Sequence, residues 1–148
     1  MAGEETTVRW ADAGADVEAA IAVRVQVFCR EQGVSREDEF DGRDEQASHV
    51  LAVELDGGRV VGTLRLLIDG EEAKIGRVAV EADRRRRGLA SRMLELALAG
   101  ARERGATRVR LAAQLQAREL YARAGFAEES DLFEEAGIPH VWMGMRLG

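Results

Sequence analysis

Two apolar runs, Val50 through Leu55 and Val60 through Ile68, are separated by the turn-forming Asp56-Gly57-Gly58. Strand-like segments rich in Val and Leu, joined over so short a distance, pair antiparallel as a hairpin. A second turn, Asp69-Gly70-Glu71-Glu72, leads into Ala73 through Val80, so a three-stranded antiparallel meander is predicted. The period then changes. Leu89, Met93, Leu94, Leu96, Ala97 and Ala101 recur at helical spacing, and Gly105 marks the end of that helix. Val109 through Ala113 reads as a strand and Ala117 to Ala124 as a short helix closed by Gly125. Two final strands flank Gly137-Ile138-Pro139. Helical crossovers set later strands parallel to their predecessors. The expected class is therefore α/β (α+β), a mixed central sheet of about seven strands with helices on both faces.

The N-terminal third is less regular. Thr6 to Trp10 reads as a short strand. Asp16 is placed to cap a helix with Val17, Ala20, Ile21, Val25 and Phe28 on one face, stopping at Gly33. Ser35 to Gln46 is polar, with Phe40 its only large apolar residue, and is expected to be a loop. No repeat or linker interrupts the 148 residues, so a single domain spanning 1–148 is expected. A lone Cys29 and two histidines supply neither a disulfide framework nor a cysteine-rich zinc site, and no metal is expected. The acidic N-terminus and the lack of a long apolar stretch point to a cytoplasmic protein without a membrane partner. A formal net charge of -6 and 5% aromatic residues argue against nucleic acid as a partner.

Against that acidic background, Arg84-Arg85-Arg86-Arg87 stands out. The strand ending at Val80 is followed by this run, then by Gly88 and the start of a helix. A helix N-terminus offers free backbone N–H groups and a positive dipole end, glycine admits a close phosphate, and arginines add charge-assisted bonds. A Walker-type loop is excluded, because Gly88-Leu89-Ala90 lacks the lysine and adjacent hydroxyl; a dinucleotide turn is excluded by its single glycine. The segment resembles the Q/R-x-x-G-x-G/A signature of the GCN5-related N-acetyltransferase (GNAT) superfamily, with Arg85, Gly88 and Ala90 at the three defining positions. Leu120-Tyr121-Ala122-Arg123-Ala124-Gly125-Phe126 resembles the family's second conserved helix. Val27 through Gln32, Asp38 through Asp41 and Leu111 through Gln114 are similar to its ElaA-like subgroup.

The resemblance implies a GNAT fold with a splayed CoA cleft and acetyl-CoA as cosubstrate. It implies pyrophosphate contacts from Arg85, Arg86, Arg87, Gly88, Leu89, Ala90 and Ser91, pantetheine contacts from the backbone of Val78, Ala79 and Val80, and further contacts from Gln114 and Arg123. It implies direct transfer of an acetyl group to a primary amine in a ternary complex, with Tyr121 as general acid toward the departing thiolate. A non-catalytic acyl-CoA sensor is the alternative. An alkyl ammonium, with a pKa of about 10.4, must lose a proton before it attacks. The strand from Ala73 to Val80 offers Lys74 and Arg77 but no carboxylate, so the base is left among His140, Glu134 and His49, histidine being suited by its near-neutral titration. Glu31, Gln32, Asp38 and Asp41, with Glu134 and His140, are candidates for lining the acceptor pocket. The acceptor and the oligomeric state are left open, a homodimer included.

Overall fold

The computed structural model describes residues 5–148. The chain runs through β1 (Thr6–Trp10), α1 (Ala15–Arg24), a π-helical continuation (Val25–Glu31), α2 (Arg36–Glu39), β2 (Ser48–Glu54), β3 (Val60–Asp69) and β4 (Glu72–Val80). It continues through α3 (Leu89–Glu103), β5 (Arg108–Gln114), α4 (Arg118–Arg123), β6 (Ala127–Glu128), β7 (Phe133–Glu135) and β8 (Ile138–Arg146). The strands form one mixed sheet in the order β1-β2-β3-β4-β5-β8-β6, with β7 also on β8. Among the described residues there are eight strands, one more than expected, because the two-residue β6 adds to the seven. The meander β2-β3-β4 is antiparallel, and the α3 crossover makes β5 parallel to β4.

Alternation along the strands assigns the two faces. Val50, Ala52, Leu64, Leu66, Ala73 and Ile75 pack against Met93, Leu94 and Ala97 of α3, whereas Leu51 and Val53 pack against Ala20 of α1. Trp10 approaches α3 so closely that a Cβ on Gly100 would lie 2.4 Å from its indole. Glycine there trades helix propensity for contact between β1 and α3.

Alternation breaks in β4. Gly76 pairs with Arg65 and Ala79 with Thr63, so Leu64 faces both Arg77 and Val78. One extra residue reverses the side-chain phase. Ala73 and Ile75 face α3 before this bulge, whereas Val78 and Val80 do so after it and Ala79 turns toward Val23 and Val27. Arg77 adopts φ +53°, a left-handed conformation uncommon for a residue with a side chain.

Three local expectations are corrected. The α1 helix is capped by Gly14; the Asp16 carboxylate instead accepts from the Asp12 amide at 2.8 Å and from Arg9 at 2.7 Å, tying the loop to β1. The buried face comprises Ala20, Val23, Arg24 and Val27, because part of what covers this helix is charged rather than apolar. Ser35 to Gln46 is ordered: Ser35 caps α2 by accepting from the Asp38 amide at 3.0 Å, and Asp44–Gln46 forms a 3-10 turn.

Three acids of that segment explain its order. Arg24, fully buried, donates to Glu39 at 2.5 and 2.9 Å and to Asp44 at 2.7 Å. Arg65 donates to Asp41 at 2.7 and 2.9 Å and to Asp44 at 3.2 Å. Arg77 reaches the Glu39 carboxylate at 2.9 Å and its carbonyl at 3.0 Å. Three guanidinium groups thus balance three carboxylates. Buried charge is tolerable only when paired and hydrogen-bonded, so removing one member strands the others.

Arg24→Met is expected to lower unfolding stability by roughly 3–5 kcal/mol, read by urea denaturation; a loss below 1 kcal/mol would show that the cluster does not anchor the segment. Hydrogen bonding from Arg65 holds the Asp41 carboxyl far below the usual range against the opposing effect of burial. Burial raises that of Asp44, but bonds from Arg24 and Arg65 outweigh it and the net shift is downward. A depressed folded pKa adds stability that is complete above the unfolded value, about 3.9 for aspartate, and lost as pH falls toward the folded one. Acid titration should therefore show stability declining below about pH 4, and less steeply in Asp41→Asn.

Candidate functional site

The bulge opens the site. The parallel pairing of β4 with β5 covers only Glu72 with Arg108, Ala73 with Val109 and Lys74 with Arg110. Beyond Lys74 the strands diverge, while β5 stays paired with β8 over its whole length. A cleft of about 700 Å³ occupies the gap, with Val78, Ala79 and Val80 on one wall and Ala112, Gln114 and Tyr121 on the other. Strand divergence leaves backbone groups of β4 without partners on the β5 side, as a ligand that binds by main-chain contacts requires.

At the end of β4 the chain makes the turn into α3. Arg86 has φ +65° and Gly88 φ +75°, and Gly88 is the N-cap with no side chain to satisfy the first amides. Nothing lies within 4 Å of a Cβ built on Gly88, so glycine serves the backbone conformation and leaves the space above the turn open. The amides of Leu89, Ala90 and Ser91 head a fifteen-residue helix whose dipole favours an anion there. Leu89 is buried and anchors the turn, while Arg86, Arg87, Gly88 and Ser91 are exposed around it. The turn fits a phosphate-bearing ligand whose remainder lies in the cleft.

Two polar contacts tie the end of the π-helical segment to both sides of the cleft. Arg85 donates to Glu31 at 2.5 and 2.7 Å and to the Val80 carbonyl at 2.9 Å. Its hydrogen bonds lower the Glu31 carboxyl below the ordinary range, against a weaker effect of burial. Gln114 donates to Gln32 at 2.9 Å and accepts from Gln116 at 2.5 Å. Glu31 and Gln32 thus line the cleft while already engaged by Arg85 and Gln114.

Tyr121 and His140 face the cleft from different elements. Tyr121 is 6% exposed, its ring edge-on to Phe126 at 6.1 Å, and its hydroxyl has no protein hydrogen-bond partner among the described residues. Burial pushes its phenol well above the ordinary range, so it stays protonated at neutral pH. Buried tyrosines usually satisfy their hydroxyl, and an unsatisfied one beside a cleft is available to a ligand. His140 is 7% exposed, and its Nδ1 lies 2.6 Å from the Ile138 carbonyl. A carbonyl only accepts, so Nδ1 carries the proton and Nε2 of the neutral ring keeps its lone pair. Glu134 and Arg123 lie outside the cleft: Glu134 is exposed on β7, and Arg123 is exposed and paired with Glu119 at 3.1 Å. His49 is buried within β2 with Nε2 3.1 Å from the Asp44 carbonyl, and it does not line the cleft.

The family profile of the acetyltransferase (GNAT) domain matches residues 17–147. This chain is a member of the GNAT family. The uncharacterized Bacillus subtilis protein YyaT is 37% identical to it over 132 residues, 87% of this chain and 88% of that one. Escherichia coli ElaA superposes with a TM-score of 0.82 at 25% identity, covering 95% of this chain and 99% of ElaA. An acyl-CoA N-acyltransferase from Pseudomonas aeruginosa gives 0.80 at 30% identity, with 95% and 99% covered. These relatives support acyl transfer as the general activity of the GNAT fold seen here.

Sequence reasoning passed over several residues that line this GNAT cleft. Arg65, Arg77 and Glu39 reach it from the charged cluster, and Glu135 lines it where its neighbour Glu134 does not; Asp38 and Asp41, candidates from the sequence, line it too. The two-residue period of β7, set by pairing Glu134 with Pro139 and Glu135 with Ile138, decides between those glutamates. Acidity in Ser35 to Gln46 was the one visible signal of the cluster, but its arginine partners lie 15 to 38 residues away.

Because the Tyr121 hydroxyl bonds to no protein group among the described residues, Tyr121→Phe should change unfolding stability by less than about 1 kcal/mol, whereas Tyr121→Ala should cost roughly 3–5 kcal/mol. A large loss in the phenylalanine variant, seen in thermal or urea melts, would mean that the hydroxyl supports the fold rather than the cleft.

Proposed function

We propose that the chain is an N-acetyltransferase that moves an acetyl group from acetyl-CoA directly to a primary amine. The observation that carries this reading is the pairing, in one splayed cleft, of a protonated Tyr121 whose hydroxyl has no protein hydrogen bond among the described residues with a His140 whose Nε2 lone pair is left available. The amides of Leu89, Ala90 and Ser91, with Arg86 and Arg87 around them, would hold the pyrophosphate. The backbone of Val78, Ala79 and Val80 would hold the pantetheine arm, with Gln114 opposite. Bound acetyl-CoA supplies an activated acyl group and a thiol leaving group.

The protein's own part is proton handling and exclusion of water. An alkyl ammonium must lose two protons to become an amide. His140 Nε2 takes the first, leaving the nitrogen a lone pair with which to attack; the Ile138 carbonyl fixes the ring so that Nε2 rather than Nδ1 does so. Tyr121 donates its phenolic proton to the departing sulfur, and its phenolate is restored by the second proton released from nitrogen. Leu111, Ala112, Val78 and Ala79 give the space between the two groups apolar walls, which limit water access to the thioester.

With acetyl-CoA saturating, Tyr121→Phe is expected to lower kcat about 10²–10⁴-fold while the acetyl-CoA Kd is unchanged; unaltered kcat removes Tyr121 from the acid role. His140→Gln should slow transfer to an alkyl ammonium by a similar factor yet recover much of the rate with hydroxylamine, which is already unprotonated at neutral pH. Equal losses with both acceptors would assign His140 a structural role. Acetyl-CoA binding without thiol release to any amine would favour a sensor.

A further inference from the structure

The sheet face turned away from α3 carries Lys74 on β4, Arg110 and Ala112 on β5, and His140 and Trp142 on β8. Phe133 of β7 stacks on His140 at 5.9 Å and on Trp142 at 5.6 Å, and Lys74 Nζ lies 5.3 Å from the Trp142 ring centre. A row of rings thus runs from His140 to the Lys74 ammonium.

Lys74 differs from the other cations lining the cleft. Arg65 and Arg77 are neutralised by Asp41, Asp44 and Glu39, and Arg85 by Glu31. Lys74 is half-buried and has no carboxylate within 4.0 Å among the described residues. Burial pushes its ammonium below the ordinary lysine range; Glu135 opposes that shift from a distance, while Arg65, Arg43 and Arg77 add to it. A partly desolvated cation without a counter-ion is costly to the free protein and is relieved by an anion arriving with a ligand. The cofactor's phosphates are not that anion. Lys74 stands six residues before Val80 and hence about 20 Å along the strand from the phosphate turn.

We propose that Lys74 receives a carboxylate of the acceptor, making the substrate a small amine that carries its own carboxylate, of the amino-acid class. The amine lies at His140 and the carboxylate at Lys74, both of which line the cleft, while Phe133 and Trp142 pack behind them. This assignment rests on the acetyl-transfer reading and narrows its acceptor.

The test uses the full chain with saturating acetyl-CoA, after calorimetry establishes that acetyl-CoA binds. Common α- and ω-amino acids are assayed by thiol release, each beside its carboxamide. The expected result is a kcat/KM at least tenfold higher for the best acid than for its amide. Lys74→Met should reduce kcat/KM for the acid roughly tenfold more than for the amide, through KM, and Lys74→Arg should keep the preference. Melting curves check that both variants fold. Equal use of acid and amide, an unchanged ratio in Lys74→Met, or no turnover of either overturns the assignment. Transfer to amines lacking a carboxylate would leave acetyl transfer standing and remove only the role of Lys74. Absence of acetyl-CoA binding would remove both.

Discussion

The structure turns on the bulge at Arg77. One residue too many in β4 reverses which face its side chains meet, bends the strand and ends its pairing with β5 after three residues. The left-handed conformation of Arg77 persists because its guanidinium is held by both the carboxylate and the carbonyl of Glu39. Glu39 is in turn held by the buried Arg24, whose other nitrogens bind Asp44, which Arg65 also contacts. Each charge is tolerable only because the others are present. The segment between α1 and β2 therefore cannot leave without stranding three arginines, and the cleft wall it supports is fixed as firmly as an apolar core would fix it.

On this rigid opening the chemistry is divided by position. The positive end of the α3 dipole lies where the turn meets the end of β4, in a chain whose net charge is negative, so an anion would be drawn there by local geometry rather than by bulk attraction. The middle of the cleft has apolar walls, with Tyr121 kept protonated by burial. Its far end carries Glu135, Ile138 and His140 from β7 and β8 and Lys74 from β4. Glu31–Arg85 and Gln32–Gln114 bind the helical N-terminal segment to the other walls, so one helix is coupled to both the phosphate turn and β5.

Much of the architecture was legible because its signals are local. The Asp56-Gly57-Gly58 turn, the helical spacing from Leu89 to Ala101 and the glycines at 105 and 125 each act over a few residues, and each element formed where it was read. The arginine-glycine turn was legible for the same reason, since a helix start and its preceding strand are neighbours in sequence. Asp16 stands where a helix cap is expected, but its carboxylate has a better partner in Arg9 on another element. The segment from Ser35 to Gln46 was read as a loop because its order derives from Arg24, Arg65 and Arg77, none of them nearby.

By itself the sequence determined the class of fold, the order of most of its strands and helices, and the positions of the arginine-glycine turn and of the helix that carries Tyr121, because periodicity, turn chemistry and short motifs are properties of contiguous residues. Only the tertiary structure decided the bulge, the divergence of β4 from β5, which of Glu134 and Glu135 enters the cleft, and which cleft cation has no carboxylate within 4.0 Å among the described residues. Those features depend on strand register and on charges brought together from distant positions. Their energy exists only once the surrounding chain has excluded water and fixed the pairing.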